Sequence, residues 1–172
     1  MTGVGRHGDI ATDPLGRISD ERAIERLISG YGHALDHGTP DDYAELFTDD
    51  GVFEIRSGLA QIPGADPSFP EAMVALLIGK GGERTPDGLV FRGRKALKSF
   101  VTRGARTARS LHVSSQPIVT LLGADDAEAV SYLRIYRHSP GSDAALTHFG
   151  RYLDRFRRTT DGWRIRHRIS EL

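Results

Sequence analysis

The chain contains no cysteine. Disulfides, thiolate metal sites and a cysteine nucleophile are therefore excluded. No apolar run approaches the length of a membrane span. The opening stretch, MTGVGRHGDIATDPLGR, has no apolar segment before its Asp and Pro, unlike a secretory signal, and the simplest compartment is the cytoplasm. Neither sign of charge is in excess: Lys plus Arg and Asp plus Glu number 23 each. A balanced chain has no global field to attract nucleic acid or an anionic membrane. No G-x-S-x-G elbow or dinucleotide fingerprint occurs. Gly79-Lys80-Gly81-Gly82 lacks the spacing and the Ser/Thr of a phosphate loop.

What is present fits one globular domain. The length of 172 residues, with 38% hydrophobic and 27% charged, suffices for a sizeable core. Residues 1–17 are Gly-rich and aperiodic and read as a tail, followed by a single domain over 18–172. Ser19 is the expected N-cap of a first helix. Ile24, Leu27, Ile28, Tyr31 and Leu35 then recur at helical spacing, and the helix should end near Gly38. Thr39-Pro40-Asp41-Asp42 restarts a helix, with Thr39 as cap, Pro40 at its first position and Asp42 completing a capping box. Tyr43, Leu46 and Phe47 supply its buried side.

Asp49-Asp50-Gly51 reads as a turn and Val52 to Arg56 as a strand. Residues 57–90 are rich in Gly and Pro apart from EAMVALLIG (71–79), a possible short helix. Such an insertion is a lid, a binding loop or a disordered segment. Helical spacing returns over 94–108. After Arg109 the pattern is strands joined by hairpin-length turns, with Pro117 marking a bulge or an edge. Helices first and a meander afterwards indicate an α+β layout with helices on one face of a mostly antiparallel sheet.

Several residues invite a chemical reading. His33 and His37 stand four apart on a helix, a zinc spacing, but no third ligand is evident and both suit the helix C-terminal dipole, so no metal is expected. Seven arginines lie between Arg151 and Arg168 without interleaved aromatic stacking partners, which suits a solvated face paired with acids. In the last strand Trp163, Ile165, His167 and Ile169 alternate with Arg164, Arg166 and Arg168. Period-two geometry puts His167 inward and the arginines outward. His112 shares a polar strand face with Ser114 and Gln116, which meets either solvent or a polar pocket.

Four stretches, AIERLISGYGHALDHGTPDDYAELFTDDGVFEI, FRGRKALKSF, LHVSSQPIV and GRYLDRFRRTTDGWRIRHRI, together resemble the SnoaL-like and scytalone dehydratase-like branch of the nuclear transport factor 2-like superfamily. The resemblance implies a cone: a curved, mostly antiparallel mixed sheet wrapped around N-terminal helices, with one pocket at the open end. It further implies that Asp36, near the end of the first helix, orients His112 as general acid/base. The remaining family positions differ here. Leu35 and Ile55 stand where tyrosines are expected, Arg137, with His138 next to it, where a second histidine is expected, and Tyr152 where an asparagine is expected.

A His/Asp pair needs no cofactor to move protons. Tyr31, Tyr43, Tyr152, His167 and Arg137 are candidates for binding the substrate, with Tyr31, Tyr152 and His167 placed to polarise a carbonyl oxygen. Two functions follow. One is a cofactor-independent dehydratase or isomerase acting on a small cyclic or polyketide-like compound. The other is a non-catalytic small-molecule-binding module, or the small subunit of a larger oxygenase. The resemblance also implies a homodimer formed through the outer face of the sheet.

Overall fold

The computed structural model describes residues 13–56, 71–102 and 109–172. Helix α1 spans Pro14–His37. It starts five residues before the Ser19 expected as its cap, and so takes in the end of the supposed tail. The signal lies in Asp13-Pro14: the Asp13 side chain accepts the Gly16 N–H at 3.0 Å, and Pro14 presets the first helical φ. Helix α2, Pro40–Ala44, carries the full capping box, with Thr39 N–H donating to Asp42 Oδ2 at 2.8 Å and Asp42 N–H donating to Thr39 Oγ1 at 3.1 Å.

Strand β1, Phe47–Arg56, runs through Asp49-Asp50-Gly51. The expected turn there is an irregularity within the strand, because the register with its neighbour shifts between Phe47 and Val52. Helix α3, Glu71–Gly79, falls on the apolar patch seen in the sequence. The rest of the supposed insertion differs from expectation. Residues 57–70 lie outside the described residues, but Glu83–Thr85 and Gly88–Arg92 are strands β2 and β3. Pro86-Asp87 turns the hairpin between them, and β3 pairs with β1. Helix α4 is Gly93–Val101. Residues 103–108, where the helical spacing was expected to continue, also lie outside the described residues.

Strands β4 (Arg109–Leu121), β5 (Asp126–His138), β6 (Ala145–Thr159) and β7 (Gly162–Glu171) complete one seven-stranded sheet. The order is β2-β3-β1-β7-β6-β5-β4. The β1–β7 pairing is parallel and every other pairing is antiparallel. Pro117 sits on edge strand β4, at a register shift between Ser115 and Ile118 where Gln116 takes a φ of 53°.

The helices cover one face of the sheet. Along β5, Ala127, Ala129, Ser131, Leu133 and Ile135 are buried, whereas Val130 and Tyr132 between them are exposed. One core results, joining Ile24, Ile28 and Tyr31 of α1 to Phe53, Phe91, Phe156 and Ile165 of the sheet.

Candidate active site

Helix α1 lies unusually close to strand β4. At Gly32 a Cβ would stand 2.2 Å from the carbonyl oxygen of His112. One helical turn further on, this approach brings Asp36 against the same residue. The backbone N–H of His112 donates to Asp36 Oδ2 at 2.6 Å, and Nδ1 of its ring lies 2.6 Å from Oδ1. The Asp36 side chain is 1% exposed and that of His112 18%. A carboxylate only accepts, so Nδ1 carries the proton and Nε2 is the basic nitrogen of the neutral ring. Asp36 thus uses both oxygens to fix one residue: one holds the strand, the other the ring.

His112 lines a cavity of about 420 Å3 between the sheet and helices α1, α3 and α4. Leu35, Phe53, Ile55, Phe100 and Val101 give it apolar walls, and Met73, Leu76 and Leu77 of α3 cover it. Tyr31, Tyr152 and Arg137 also line it, together with His148. Tyr43 does not: it is fully buried behind Tyr31, with the two hydroxyls 3.0 Å apart. Burial raises the pKa of Tyr31, Tyr43 and Tyr152, so each hydroxyl keeps its proton near neutral pH.

The expectation for the last strand is overturned. His167 lies on the outer face, where Nε2 donates to Glu54 Oε2 at 3.1 Å, and it is not among the cavity residues. Arg168, expected outside, has no exposed surface. The cause is a register shift between β6 and β7: Arg155 pairs with His167 but Phe156 pairs with Ile165, which leaves Arg166 as an extra residue. Alternation counted from Trp163 is therefore out of step beyond Ile165.

Arg168 forms a bidentate pair with Asp154, Nε to Oδ1 at 2.7 Å and Nη2 to Oδ2 at 2.6 Å. Its guanidinium carbon sits 3.9 Å from the centre of the Tyr31 ring and 4.2 Å from that of Tyr152. Burial alone would lower its pKa, but the Asp154 carboxylate outweighs it and keeps the group charged. The pair is a pillar that fixes the two tyrosine rings bordering the cavity. The remaining arginines behave as a surface set: Arg151 pairs with Glu171, Arg157 with Asp126 and Arg158 with Asp20.

His148 had not been singled out from the sequence. It faces Ile135 across the β5–β6 pairing, and Ile135 faces His112 across β4–β5. The two histidines therefore stand in one row on the inner face, with one strand between them. Burial lowers the His148 pKa, and the charges of Arg137 and His112 lower it further. The cue was present in ALTHFGRY, where His148 has the parity of Tyr152. Gly32 was legible too, as a glycine inside the helical pattern ISGYGHAL. His33 and His37 are exposed, and no cluster of three possible metal ligands occurs among the described residues.

Helices on one face of an open, mostly antiparallel sheet, enclosing a cavity with a carboxylate–histidine pair, define a nuclear transport factor 2-like fold. Within that class the chain belongs to the SnoaL-like domain family, whose profile matches residues 16–169. A nuclear transport factor 2-like protein with a cystatin-like fold from Novosphingobium aromaticivorans superposes with a TM-score of 0.66 at 21% identity, covering 97% of this chain and 92% of that one. The beta subunit of a proposed aromatic-ring-hydroxylating dioxygenase from the same organism gives 0.66 at 16% identity, covering 91% and 90%. A proposed scytalone dehydratase, also from that organism, gives 0.62 at 17% identity, covering 90% and 84%. Comparison with the curated proteins gave no match.

Proposed function

We propose that the protein is a cofactor-independent lyase or isomerase acting on a small cyclic or polyketide-like ketone, with His112 as general acid/base. The observation that carries this reading is the double contact of Asp36 with His112, at 2.6 Å each, at the wall of a largely apolar cavity. A carboxylate buried to that degree is costly unless its partner needs it, and a module that only binds ligands has no use for a fixed imidazole tautomer.

In this reading Nε2 of His112 takes a proton from the carbon next to the substrate carbonyl. The C–H electron pair becomes the C=C bond of an enolate, and Asp36 stabilises the imidazolium. The Tyr152 hydroxyl, protonated and bordering the cavity, donates to the enolate oxygen. The imidazolium then returns its proton. Delivered to a β-hydroxyl, it releases water as the C–O bond breaks; delivered to another carbon, it completes an isomerisation.

The test uses 2-tetralone, a bicyclic ketone with acidic ring C–H bonds, in deuterated water. NMR should show protein-catalysed deuterium uptake next to the carbonyl. His112→Ala should abolish it, and Asp36→Asn should slow it less. Uptake at the uncatalysed rate with wild-type protein counts against the reading.

A second reading is favoured by the open sheet face. Phe149 is 74% exposed, Ile118 72% and Tyr132 56%, and all three point away from the core. Such a patch is a surface for assembly. It suits a homodimer, and equally a small subunit within a larger oxygenase, for which the cavity would be a binding site alone.

A further inference from the structure

We propose that the ligand is a carboxylate, held at one end of the cavity by Arg137 and His148 while its ring reaches His112. This rests on the cavity being the ligand site, and it adds a chemical class to that reading.

The inner face of the sheet spaces three nitrogen-bearing side chains in a defined pattern. His112, Ile135 and His148 form one row across β4, β5 and β6. With about 4.8 Å between strands, the two histidines are about 10 Å apart at the backbone. Arg137 lies two residues beyond Ile135 and on the same face, paired with Ser110, which also lines the cavity. The β4 side of the cavity therefore carries the Asp36-bound imidazole and the β6 side a second imidazole, with Arg137 on the strand between them and its charge felt at His148. Ile135 forms the apolar floor between them.

Among the described residues the charged side chains around Arg137 and His148 are cationic, and no Asp or Glu of that set lines the cavity. Asp36 spends both oxygens on His112. The other cation at the cavity, Lys80, is taken up at the end of α4, where Nζ donates to the carbonyls of Phe100 at 3.0 Å and Thr102 at 2.9 Å. Arg137 has no ion pair or hydrogen bond among the described residues and is exposed. Among the described residues His148 is engaged only through Nδ1, 3.1 Å from Thr147 Oγ1. A ligand in the apolar cavity would find in Arg137 a guanidinium with no ion-pair partner among the described residues. A planar carboxylate suits it, because it matches the guanidinium fork and accepts from an imidazole N–H at the same time. Burial and the Arg137 charge keep His148 mostly neutral in the empty protein, and a bound carboxylate would draw it toward the protonated form.

The test is calorimetric titration of the wild-type protein with 2-naphthoate and with its neutral analogue 2-naphthamide, repeated with Arg137→Gln. Naphthoate should bind about 10- to 100-fold more tightly than the amide, the range of hydrogen bonds to charged groups. Arg137→Gln should remove that preference, weakening naphthoate binding far more than amide binding. Equal binding of the two probes overturns the proposal. So does a preference that survives Arg137→Gln, a fall in amide affinity as large as the fall for naphthoate in that variant, or failure of naphthoate to bind at millimolar concentration. His112→Ala should keep the preference for naphthoate. The deuterium uptake is read on neutral 2-tetralone, which carries no carboxylate, so the acid/base reading and the carboxylate assignment fail separately.

Discussion

Replacing Gly32 by alanine should destabilise the protein, whereas the same change two residues earlier should stabilise it. Both glycines lie in α1, where alanine is worth about 1 kcal/mol more than glycine in helix propensity. At Gly30 nothing lies within 4 Å of the new Cβ, so Gly30→Ala should gain about 0.5–1 kcal/mol. At Gly32 the Cβ would stand 2.2 Å from the His112 carbonyl oxygen. A carbon and a carbonyl oxygen need about 3.3 Å, so α1 and β4 must part by about 1 Å. The obstacle is backbone, which cannot swing aside. Moving Asp36 by that amount stretches its two 2.6 Å contacts beyond hydrogen-bonding range. Overpacking costs about 1–3 kcal/mol and weakening bonds to a buried carboxylate about 1.5–3 kcal/mol. After the propensity gain, Gly32→Ala should lose about 2–5 kcal/mol. Urea denaturation of the two variants side by side measures the difference. Proton NMR adds a local readout, because the Nδ1–H of His112, hydrogen-bonded to Asp36, should give a downfield resonance that disappears in Gly32→Ala. If Gly32→Ala is as stable as Gly30→Ala and keeps that resonance, the close approach of α1 to β4 does not hold the pair together.

Asp154→Ala should cost about 3–5 kcal/mol in urea unfolding, because it strands the Arg168 guanidinium in the core, while Arg151→Ala on the surface should cost less than about 1 kcal/mol. Thr39→Ala should lose about 1 kcal/mol through the capping box of α2, readable in the same assay. His148 has its pKa lowered from 6.5 in the folded state. The unfolded chain therefore binds the proton more readily, so His148 favours folding above pH 6.5 and loses that contribution as pH falls through the lowered folded value. The urea midpoint should drop over that window, and His148→Gln should flatten part of the drop. Light scattering at micromolar concentration should give twice the chain mass, and Phe149→Lys should halve it if the exposed face of β4, β5 and β6 is the contact.

The parts of the fold legible in the sequence were those set by local chemistry. The capping box at Thr39 is readable because its two bonds join residues three apart. The edge or bulge at Pro117 follows from a missing N–H. The Asp13-Pro14 start of α1 was equally local, and the glycines before it hid it inside a supposed tail. The β2–β3 hairpin was missed because Thr85-Pro86-Asp87-Gly88, a good turn sequence, sits in a stretch whose Gly and Pro content reads as loop. The orientation of His167 failed for a deeper reason. Strand alternation carries information only while register holds, and the extra residue at Arg166 is a property of the pairing with β6 that β7 alone does not encode. The site was read in the same uneven way. Periodicity left Asp36 off the apolar stripe and His112 on an ambiguous polar face, and only the family resemblance linked them across 76 positions. For His148, β6 alone offered only its shared parity with Tyr152, and its place in one row with Ile135 and His112 depends on pairings with β5 and β4 that β6 does not encode.

The place of β7 in the sheet has a consequence for how the chain acquires its structure. It is the last strand in sequence, yet it lies between β1 on one side and β6 on the other. The β2-β3-β1 half and the β4-β5-β6 half share no sheet pairing except through it. Each half holds part of the cavity wall, and α1 waits for partners more than a hundred positions away, as when Trp163 Nε1 donates to Asp20 at 3.1 Å. Contacts this distant in sequence make for slow folding. During synthesis β1 must remain with one edge bare until β7 has emerged, more than a hundred residues later, which leaves an aggregation-prone edge exposed. Cavity formation should therefore be among the last events of folding, and the insertion of one strand should decide whether the two halves become a protein at all.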